Sequence, residues 1–275
     1  MKRLLIAGFG DLGQRLASRL ERQGEWQLHA VRRSAAQSDS ITFYRADLTR
    51  AETLGALPKH VDAIVYQATP AERTAAAYQA IYLEGLQNLL VQTTSDQLIV
   101  VSSTAVFGQD QGQWVDERSA TEPERFNGRI LLEAEQEALA AGGQVVRFSG
   151  IYGPGRKRLL QQVRSGQAAC GRDQIQWTNR IHADDAAAVL DHVLSQPDLG
   201  PVICASDDRP SPRCEVLDWL AKKTGSRPPT NDDVSSDNYA AGKRVSNHRL
   251  RVSGFEFTYP DFRAGYRKLI ANGKI

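Results

Sequence analysis

Three glycines spaced Gly8-x-Gly10-x-x-Gly13 lie in the run AGFGDLG (7–13), directly after an apolar stretch and ahead of a helical pattern. In that context the spacing suits a phosphate. Gly8 permits a tight turn, Gly10 lets the backbone approach a pyrophosphate, and Gly13 lets a helix pack closely on a strand. The helix N-terminus then offers unbonded N–H groups and a partial positive charge. Gly8, Phe9, Gly10, Asp11, Leu12 and Gly13 are therefore candidates for a dinucleotide-binding segment. The plain alternative is an ordinary strand-to-helix turn. The second apolar run ends in Val31-Arg32-Arg33-Ser34. An acidic residue about 20 positions beyond the glycines would hold the adenine ribose of NAD. Two guanidiniums stand there instead, and their planar forks of donors match a phosphate. Arg32 and Arg33 thus predict NADP(H) in preference to NAD(H), with solvated loop arginines as the alternative. Asp47 and Leu48 follow the third run, where an adenine would lie; a turn or capping role for Asp47 is the alternative.

A site of this kind needs strands that end side by side. The chain supplies short apolar runs at 3–8, 26–31, 41–46, 61–67, 97–103 and 144–150, separated by helical patterns. Leu12, Leu16 and Leu20 recur every fourth residue, and Gly24 follows as a C-cap. Residues 72–94 read as one long helix with Ala76, Ala80, Leu83 and Leu90 among its apolar positions, 126–141 as another, and 50–57 as a short one. The alternation predicts an α/β fold: a Rossmann-type doubly wound parallel sheet with a small, discontinuous C-terminal substrate lobe. Residues 1–150 form the NAD(P)-binding domain, with 183–205 returning to it, and 151–275 form most of the smaller lobe. Residues 153–180 show no clean period, and 225–238 read as a loop. The basic stretch GRKRLLQQVRSG (155–166) reads as a solvated face, with an anionic ligand as the alternative. Asp184 and Asp185 precede AAAVL, so they read as caps on a helix N-terminus and not as metal ligands beside His182.

Composition narrows the function. The 275 residues carry 34 basic and 32 acidic side chains, a net charge of +2, which argues against a nucleic-acid binder. Hydrophobic residues make up 41%, enough for a sizeable core. The three cysteines, Cys170, Cys204 and Cys214, include no Cys-x-x-Cys pair, so the reading is no disulfide framework, no zinc site and a reducing compartment. The opening MKRLLIAGFG has basic residues and an apolar run, but the run is only strand-long and glycines interrupt it, so it reads as a strand and not a signal peptide. No stretch approaches the roughly 20 apolar residues of a membrane span. The expectation is a cytoplasmic protein with a small-molecule substrate, no nucleic-acid or membrane partner, and a monomeric or homodimeric state.

Several runs together resemble the extended short-chain dehydrogenase/reductase superfamily, which includes nucleotide-sugar epimerases and dehydratases. They are AGFGDLG, Gln67-Ala68-Thr69-Pro70, LEGLQNLL (83–90), VSSTAVFG (101–108), RFSGIYGPG (147–155) and NRIHADD (179–185). They cover residues 3 to about 190 in the family's order. The resemblance is nearest to small, atypical members that are epimerase/dehydratase-like. It implies a catalytic role for Ser103, whose hydroxyl would hold a substrate oxygen. It places Ala68 and Thr69 along the cofactor, Ser102 beneath it, and Ser149, Gly150 and Ile151 near the nicotinamide. Arg180 and His182 would face the substrate cleft. For Ser103 a strand-end hydroxyl bonded to backbone, and for His182 an interface histidine, are the alternatives.

The family's chemistry uses Tyr-x-x-x-Lys on the helix after the fifth strand. Positions i and i+4 are neighbours on a helix, so the Lys charge can lower the Tyr pKa from about 10 and make the phenol useful near neutrality. The matching register here gives Phe126-Asn127-Gly128-Arg129-Ile130. Phe126 and Ile130 at the Tyr and Lys positions carry no proton to transfer. Three readings follow: an enzyme with another acid–base group, for which Tyr78, Tyr82, Tyr152, Asp116 and Glu117 are candidates; a catalytically silent NADP(H)-binding sensor or regulator; or a helix aligned in the wrong register.

Overall fold

A computed structural model describes residues 1–231 and 240–271. The six apolar runs become strands β1 (Lys2–Ala7), β2 (Trp26–Arg32), β3 (Ile41–Arg45), β4 (His60–Tyr66), β5 (Thr94–Ser103) and β6 (Gln144–Phe148). With β7 (Val202–Ala205) they form one seven-stranded sheet in the order β7-β6-β5-β4-β1-β2-β3. The pairings of β1 with β2 and β4, of β2 with β3 and of β4 with β5 are all parallel. From β1 the chain steps outward through β2 and β3, then returns to the other side of β1 with β4. Their carboxyl ends part at that reversal and leave a crevice. Helix α1 (Asp11–Gln23) buries Leu12, Leu16 and Leu20 and ends at Gly24, which has φ 72° and donates its N–H to the Leu20 carbonyl.

The long pattern at 72–94 is not one regular helix. It divides into α2 (Ala75–Gln79), a π-helical turn (Ala80–Glu84) and α3 (Gly85–Gln92). The cause is Tyr66, whose hydroxyl donates to the carbonyl of Ile81 from the end of β4. The Gly85 amide then reaches back five residues to Ala80. Only glycine fits there, since a Cβ at position 85 would lie 2.7 Å from the Tyr66 hydroxyl. The wider turn rotates the buried face. Gly85, Leu86 and Leu89 are buried, while Ala76 is exposed and Ala80, Leu83 and Leu90 are half-buried. Period counting across an unrecognised π turn assigns the wrong residues to the core. The short helix expected at 50–57 is a single 3-10 turn, Ala51–Thr53. There the Thr53 hydroxyl lies 2.9 Å from the Asp47 carbonyl and 2.7 Å from that of Arg50, which closes the loop tightly. The second long helix forms as α4 (Phe126–Ala140).

The chain divides into two compact units. The first comprises Met1–Gly108, Ala120–Arg147 and Ala187–Ile203, with a core that includes Leu5, Ile64, Leu86, Leu89, Val100 and Val145. The second comprises Gln109–Ser119, Phe148–Ala186 and Cys204–Ile275. Residues 109–119 join it through the strand Gln111–Val115, which pairs with Gly242–Val245. Its helices include α5 (Arg158–Arg164), the start of α6 (Ala183–Ser195), α7 (Arg213–Thr224), α8 (His248–Val252) and α9 (Phe262–Ala271). Tyr152, Leu160, Val163, Val216, Leu220 and Phe262 fill its core. Helix α5 lies within the segment that shows no clean period, because two turns are too short to display one. It buries Leu160 and Val163 and leaves Arg158 and Arg164 exposed. Residues 232–238 of the expected loop lie outside the described residues. Among the described residues no helix is long and apolar enough to cross a membrane, and no group of three or more His, Cys, Asp or Glu could hold a metal.

One sequence expectation is overturned in the second unit. Cys170 and Cys214 form a disulfide, with Cα atoms 5.5 Å apart and a sequence separation of 44. Cys170 ends a two-residue strand and Cys214 lies in the first turn of α7; no local spacing signals that pairing. Cys204 is the remaining thiol and is buried. A bond closing a loop of this length contributes about 2–4 kcal/mol. Thiol labelling of the denatured, unreduced protein should therefore find one reactive thiol per chain. Adding a reductant should raise the count to three and lower the urea midpoint; three thiols before reduction would show that the bond does not form.

Candidate functional site

In the first unit a cavity of about 540 Å³ opens at the carboxyl ends of the strands. Gly8, Phe9 and Gly10 line one side, and Arg32, Arg33 and Ser34 another. Asp47, Leu48 and Thr49, then Gln67, Ala68 and Thr69, then Ala77, Ala80 and Ile81 line the rest. Gly8 has φ +93°, and a Cβ there would stand 2.5 Å from the Cα of Ala68, so the loop after β1 and the loop after β4 meet backbone to backbone. The amides of Gly8 and Phe9 both bond to the Val31 carbonyl, which ties the loop to β2. No atom lies within 4 Å of a Cβ built at Gly10, so the loop presents bare backbone to the cavity.

Not all of the predicted segment reaches that space. Asp11, Leu12 and Gly13 do not line it: Asp11 accepts from Arg15 at 2.9 Å, Leu12 is buried, and Gly13 packs against Gln67 and Ile6. Arg32 bonds to the Ser34 hydroxyl, which holds its guanidinium along the cavity wall. Asp47 both lines the cavity and turns the chain, because its Oδ1 accepts from the amide and the hydroxyl of Thr49. Gln67 is 7% exposed, and neither end of its amide has a hydrogen-bond partner among the described residues. A buried amide left unpaired beside a cavity is costly unless something in the cavity bonds to it. Gln67, Ala77, Ala80 and Ile81 are lining residues that the motif spacing does not single out.

At the end of β5, Ser103 accepts a hydrogen bond from the Ala105 amide at 3.2 Å and caps the 3-10 turn Thr104–Val106. Its hydroxyl proton remains able to donate. Ser102 donates at 2.5 Å to Glu135, which is fully buried on α4 and paired with Arg147 of β6 at 2.6 Å. The Arg147 guanidinium also lies 5.0 Å from the Phe107 ring centroid. This sealed pair fixes α4 against β5 and β6, and sequence spacing gave no sign of it. At the start of α4, Phe126 makes an edge-on contact with Tyr78 (centroids 5.5 Å apart), and Tyr78 contacts Tyr82 at 5.3 Å. Ile130, at the other expected position, is 8% exposed.

The remaining predicted residues belong to the second unit. Strand Gly150–Tyr152 pairs in parallel with Arg180–His182. The Ser149 amide bonds to the Ala205 carbonyl, while its buried hydroxyl has no partner among the described residues. Arg180 is buried, bonds to Thr178 at 2.9 Å and leaves one terminal nitrogen without a partner among the described residues. Desolvation weakens its hold on its proton. His182 is almost fully buried, with its ring 3.9 Å from that of Tyr259 and 5.3 Å from that of Tyr152. Its Nδ1 accepts from the Asp184 amide, so the histidine occupies the capping position expected of the aspartates. The Asp185 carboxylate instead accepts from the amides of Thr258 and Tyr259. Of the alternative acid–base candidates, Tyr152 points at the Asp261 carbonyl and burial pushes its phenol up. Asp116 accepts from Arg118 and Ser119, and Glu117 from the Cys204 amide.

A parallel sheet with a glycine loop at its switch point defines the Rossmann-type class of dinucleotide-binding folds, and comparison specifies the family. The model of the NAD dependent epimerase/dehydratase family matches residues 4–203, and the chain belongs to that family. It is 34% identical to a structure from Methylobacillus flagellatus assigned as an NAD-dependent epimerase/dehydratase, over 100% of this chain and 99% of that one, with a TM-score of 0.82. A conserved protein of unknown function from Silicibacter pomeroyi is 26% identical over the whole of both chains, with a TM-score of 0.74. UDP-glucose 4-epimerase from Thermotoga maritima, solved with UDP-glucose, shares the fold at 14% identity and a TM-score of 0.79, over 99% of this chain and 98% of that one. Comparison with curated proteins gives no match. The protein is thus an epimerase/dehydratase-like member of the NAD(P)-dependent enzymes.

Asp207 gives the second unit a pH signature. It is 1% exposed; burial raises its carboxyl pKa to about 8, against the opposing pull of Arg180 and an amide bond from Arg209. The folded value lies above the unfolded one, so the protonated form is favoured on folding. Stability from this group is full below the ordinary carboxylate value and is lost as pH rises towards about 8. Asp207→Asn keeps an acceptor for the Arg209 amide and cannot ionise. The variant should unfold at a higher urea concentration than the parent at pH 9, with little difference at pH 4; equal midpoints at both would contradict the assignment.

Proposed function

We propose that the protein is an NADP(H)-dependent oxidoreductase or epimerase-like enzyme acting on a small polar or nucleotide-linked substrate. The observation that carries this is the cavity with bare glycine backbone on one side and Arg32 and Arg33 on another. The loop Gly8–Gly10 and the start of α1 would hold the pyrophosphate, Arg32 and Arg33 the 2′-phosphate, and Asp47 and Leu48 the adenine. Gln67, Ala68 and Thr69 would follow the cofactor across the end of β4. The unpaired Gln67 amide supports the fit, since a bound polar group would satisfy it. When bound, the cofactor supplies a hydride acceptor or donor. The chain's own part is to bind it, to orient a substrate hydroxyl through Ser103, and to move that hydroxyl's proton.

Phe126 and Ile130 favour a second reading, a cofactor-binding sensor without turnover, because neither can move a proton. The two readings separate when NADPH-loaded protein is incubated with a metabolite extract. Oxidation of the reduced nicotinamide that is lost in Ser103→Ala indicates an enzyme. Silence across extracts together with a cofactor-dependent partner indicates the sensor. The cofactor claim is checked by titration. The parent should bind NADPH more tightly than NADH, and Arg32→Ala with Arg33→Ala should weaken NADPH binding roughly tenfold or more while sparing NADH, as expected for lost charge-assisted hydrogen bonds. Unchanged NADPH affinity in the double variant would refute the phosphate site.

A further inference from the structure

We propose that the second unit carries a binding site for a small acidic ring compound, a sugar acid or sugar phosphate, built on the Arg244 guanidinium and the Trp114 indole. The site lies wholly in the second unit, whereas every residue lining the cavity described above lies in the first, so it stands or falls apart from the cofactor. Arg244 is opposite Trp114 where Gly242–Val245 pairs with Gln111–Val115, so their side chains share one side of that ribbon. The guanidinium lies over the Trp114 ring, 5.1 Å from its centroid, and over the Trp177 ring at 5.0 Å. Its Nε donates to the Gly112 carbonyl at 2.8 Å. One side chain braces the backbone on both sides of it: Asn179 donates to the Lys243 carbonyl at 2.8 Å and accepts from the Val245 amide at 2.8 Å. Two glycines make room for Trp177. Gly112 has φ +75°, and a Cβ there would stand 3.3 Å from the indole; Gly242 has φ +68°, and a Cβ there would stand 2.5 Å from the Trp177 carbonyl oxygen.

This bracing decides which donors of Arg244 are spent. Nε is taken, and both indoles are in contact with the guanidinium. The two terminal nitrogens have no hydrogen-bond or ion-pair partner among the described residues, and the half-buried side chain leaves them open to water. They lie side by side in a rigid plane, a spacing that meets two oxygens of one carboxylate or phosphate. A free surface arginine loses rotamer freedom when it binds. Here the fold has already ordered the side chain, so an incoming oxyanion meets a preformed fork.

The ring of the ligand follows from Trp114. Its indole remains 56% exposed although Arg244 lies against it. An open aromatic face beside an unspent fork matches a compound with an oxyanion at one end and a flat apolar face, such as that of a pyranose, at the other. Surface packing alone is a poor cause for the arrangement. A cation–π contact contributes little at an exposed position, while the left-handed backbone at 112 and 242 favours glycine at both. The competing anion site in this unit is the basic stretch at 155–166. Arg158 and Arg164 are exposed there, and among the described residues neither is held by a ring or a hydrogen bond.

The test uses the full chain without cofactor, titrated by calorimetry and tryptophan fluorescence with glucuronate, glucose 6-phosphate and glucose. At least one of the two acids should bind and change the fluorescence, with glucose weaker by about tenfold or more, as expected where charge-assisted hydrogen bonds are missing. Binding of glucuronate alone identifies a carboxylate ligand, of glucose 6-phosphate alone a phosphate ligand, and of both the shared oxyanion. Arg244→Lys keeps the charge but loses the fork, and should weaken the acid about tenfold or more. Trp114→Ala, at an exposed position, should weaken it several-fold, and Arg158→Ala should leave it unchanged. No binding of either acid up to about 10 mM, a range that reaches millimolar affinities, overturns the site. So does parental affinity in Arg244→Lys and Trp114→Ala, or a loss confined to Arg158→Ala, which assigns the anion to the basic stretch. Circular dichroism and the urea midpoint confirm that each variant is folded; if Arg244→Lys is not, Trp114→Ala decides.

Discussion

The backbone contact between Gly8 and Ala68 is the constraint on which the first unit depends. β1 lies between β2 and β4, and the sheet reverses its order there. The loops leaving β1 and β4 must diverge to make room for a ligand, yet they touch at their origin. Gly8 permits this through its positive φ and missing side chain. A side chain at that position would have to displace the Ala68 backbone, and with it the loop carrying Gln67 and Thr69. The crevice, the bare backbone at Gly10 and the placement of Arg32 opposite follow from that one close approach.

A second layer of control comes from β4. Its last residue, Tyr66, places its hydroxyl against the following helical segment and takes up the Ile81 carbonyl. The hydrogen bond compensates for the irregular ladder of the π turn, and Gly85 gives the hydroxyl space. One strand therefore sets both the floor of the cavity, through Gln67 and Ala68, and the register of the helix that lines its far wall. On the other side of that helix lies α4, held by the Glu135–Arg147 pair. Such a buried pair adds little net stability but is expensive to break, so it fixes position more than it adds free energy.

Buried polar groups in the second unit follow a different logic. Arg180 and Asp207 are both inside, and each has an atom without a partner among the described residues. Asp185 is satisfied by two amides, and His182 is stacked among tyrosines. The unit combines these buried charged groups with a disulfide between Cys170 and Cys214, of which the sequence gives no sign.

The strands, α1 with its Gly24 cap, α4 and the glycine loop were legible in the sequence because each rests on local rules: apolar period, capping and the conformational freedom of glycine. Arg32 and Arg33 were legible as cavity residues for the same reason, since they close a strand whose neighbours are fixed by the fold. Three features were not legible. The π turn at 80–84 depends on the hydroxyl of Tyr66 reaching the carbonyl of Ile81, fifteen residues further along the chain. The Cys170–Cys214 bond depends on a strand and a helix 44 residues apart meeting in space. The contact of Tyr78 with Phe126 depends on two helices packing together. Sequence alone determined where the strands of the central sheet, α1 and the glycine loop lie. Tertiary structure decided which side chains share a space, because burial, pairing and proton transfer act over a few ångströms between residues that the chain holds far apart.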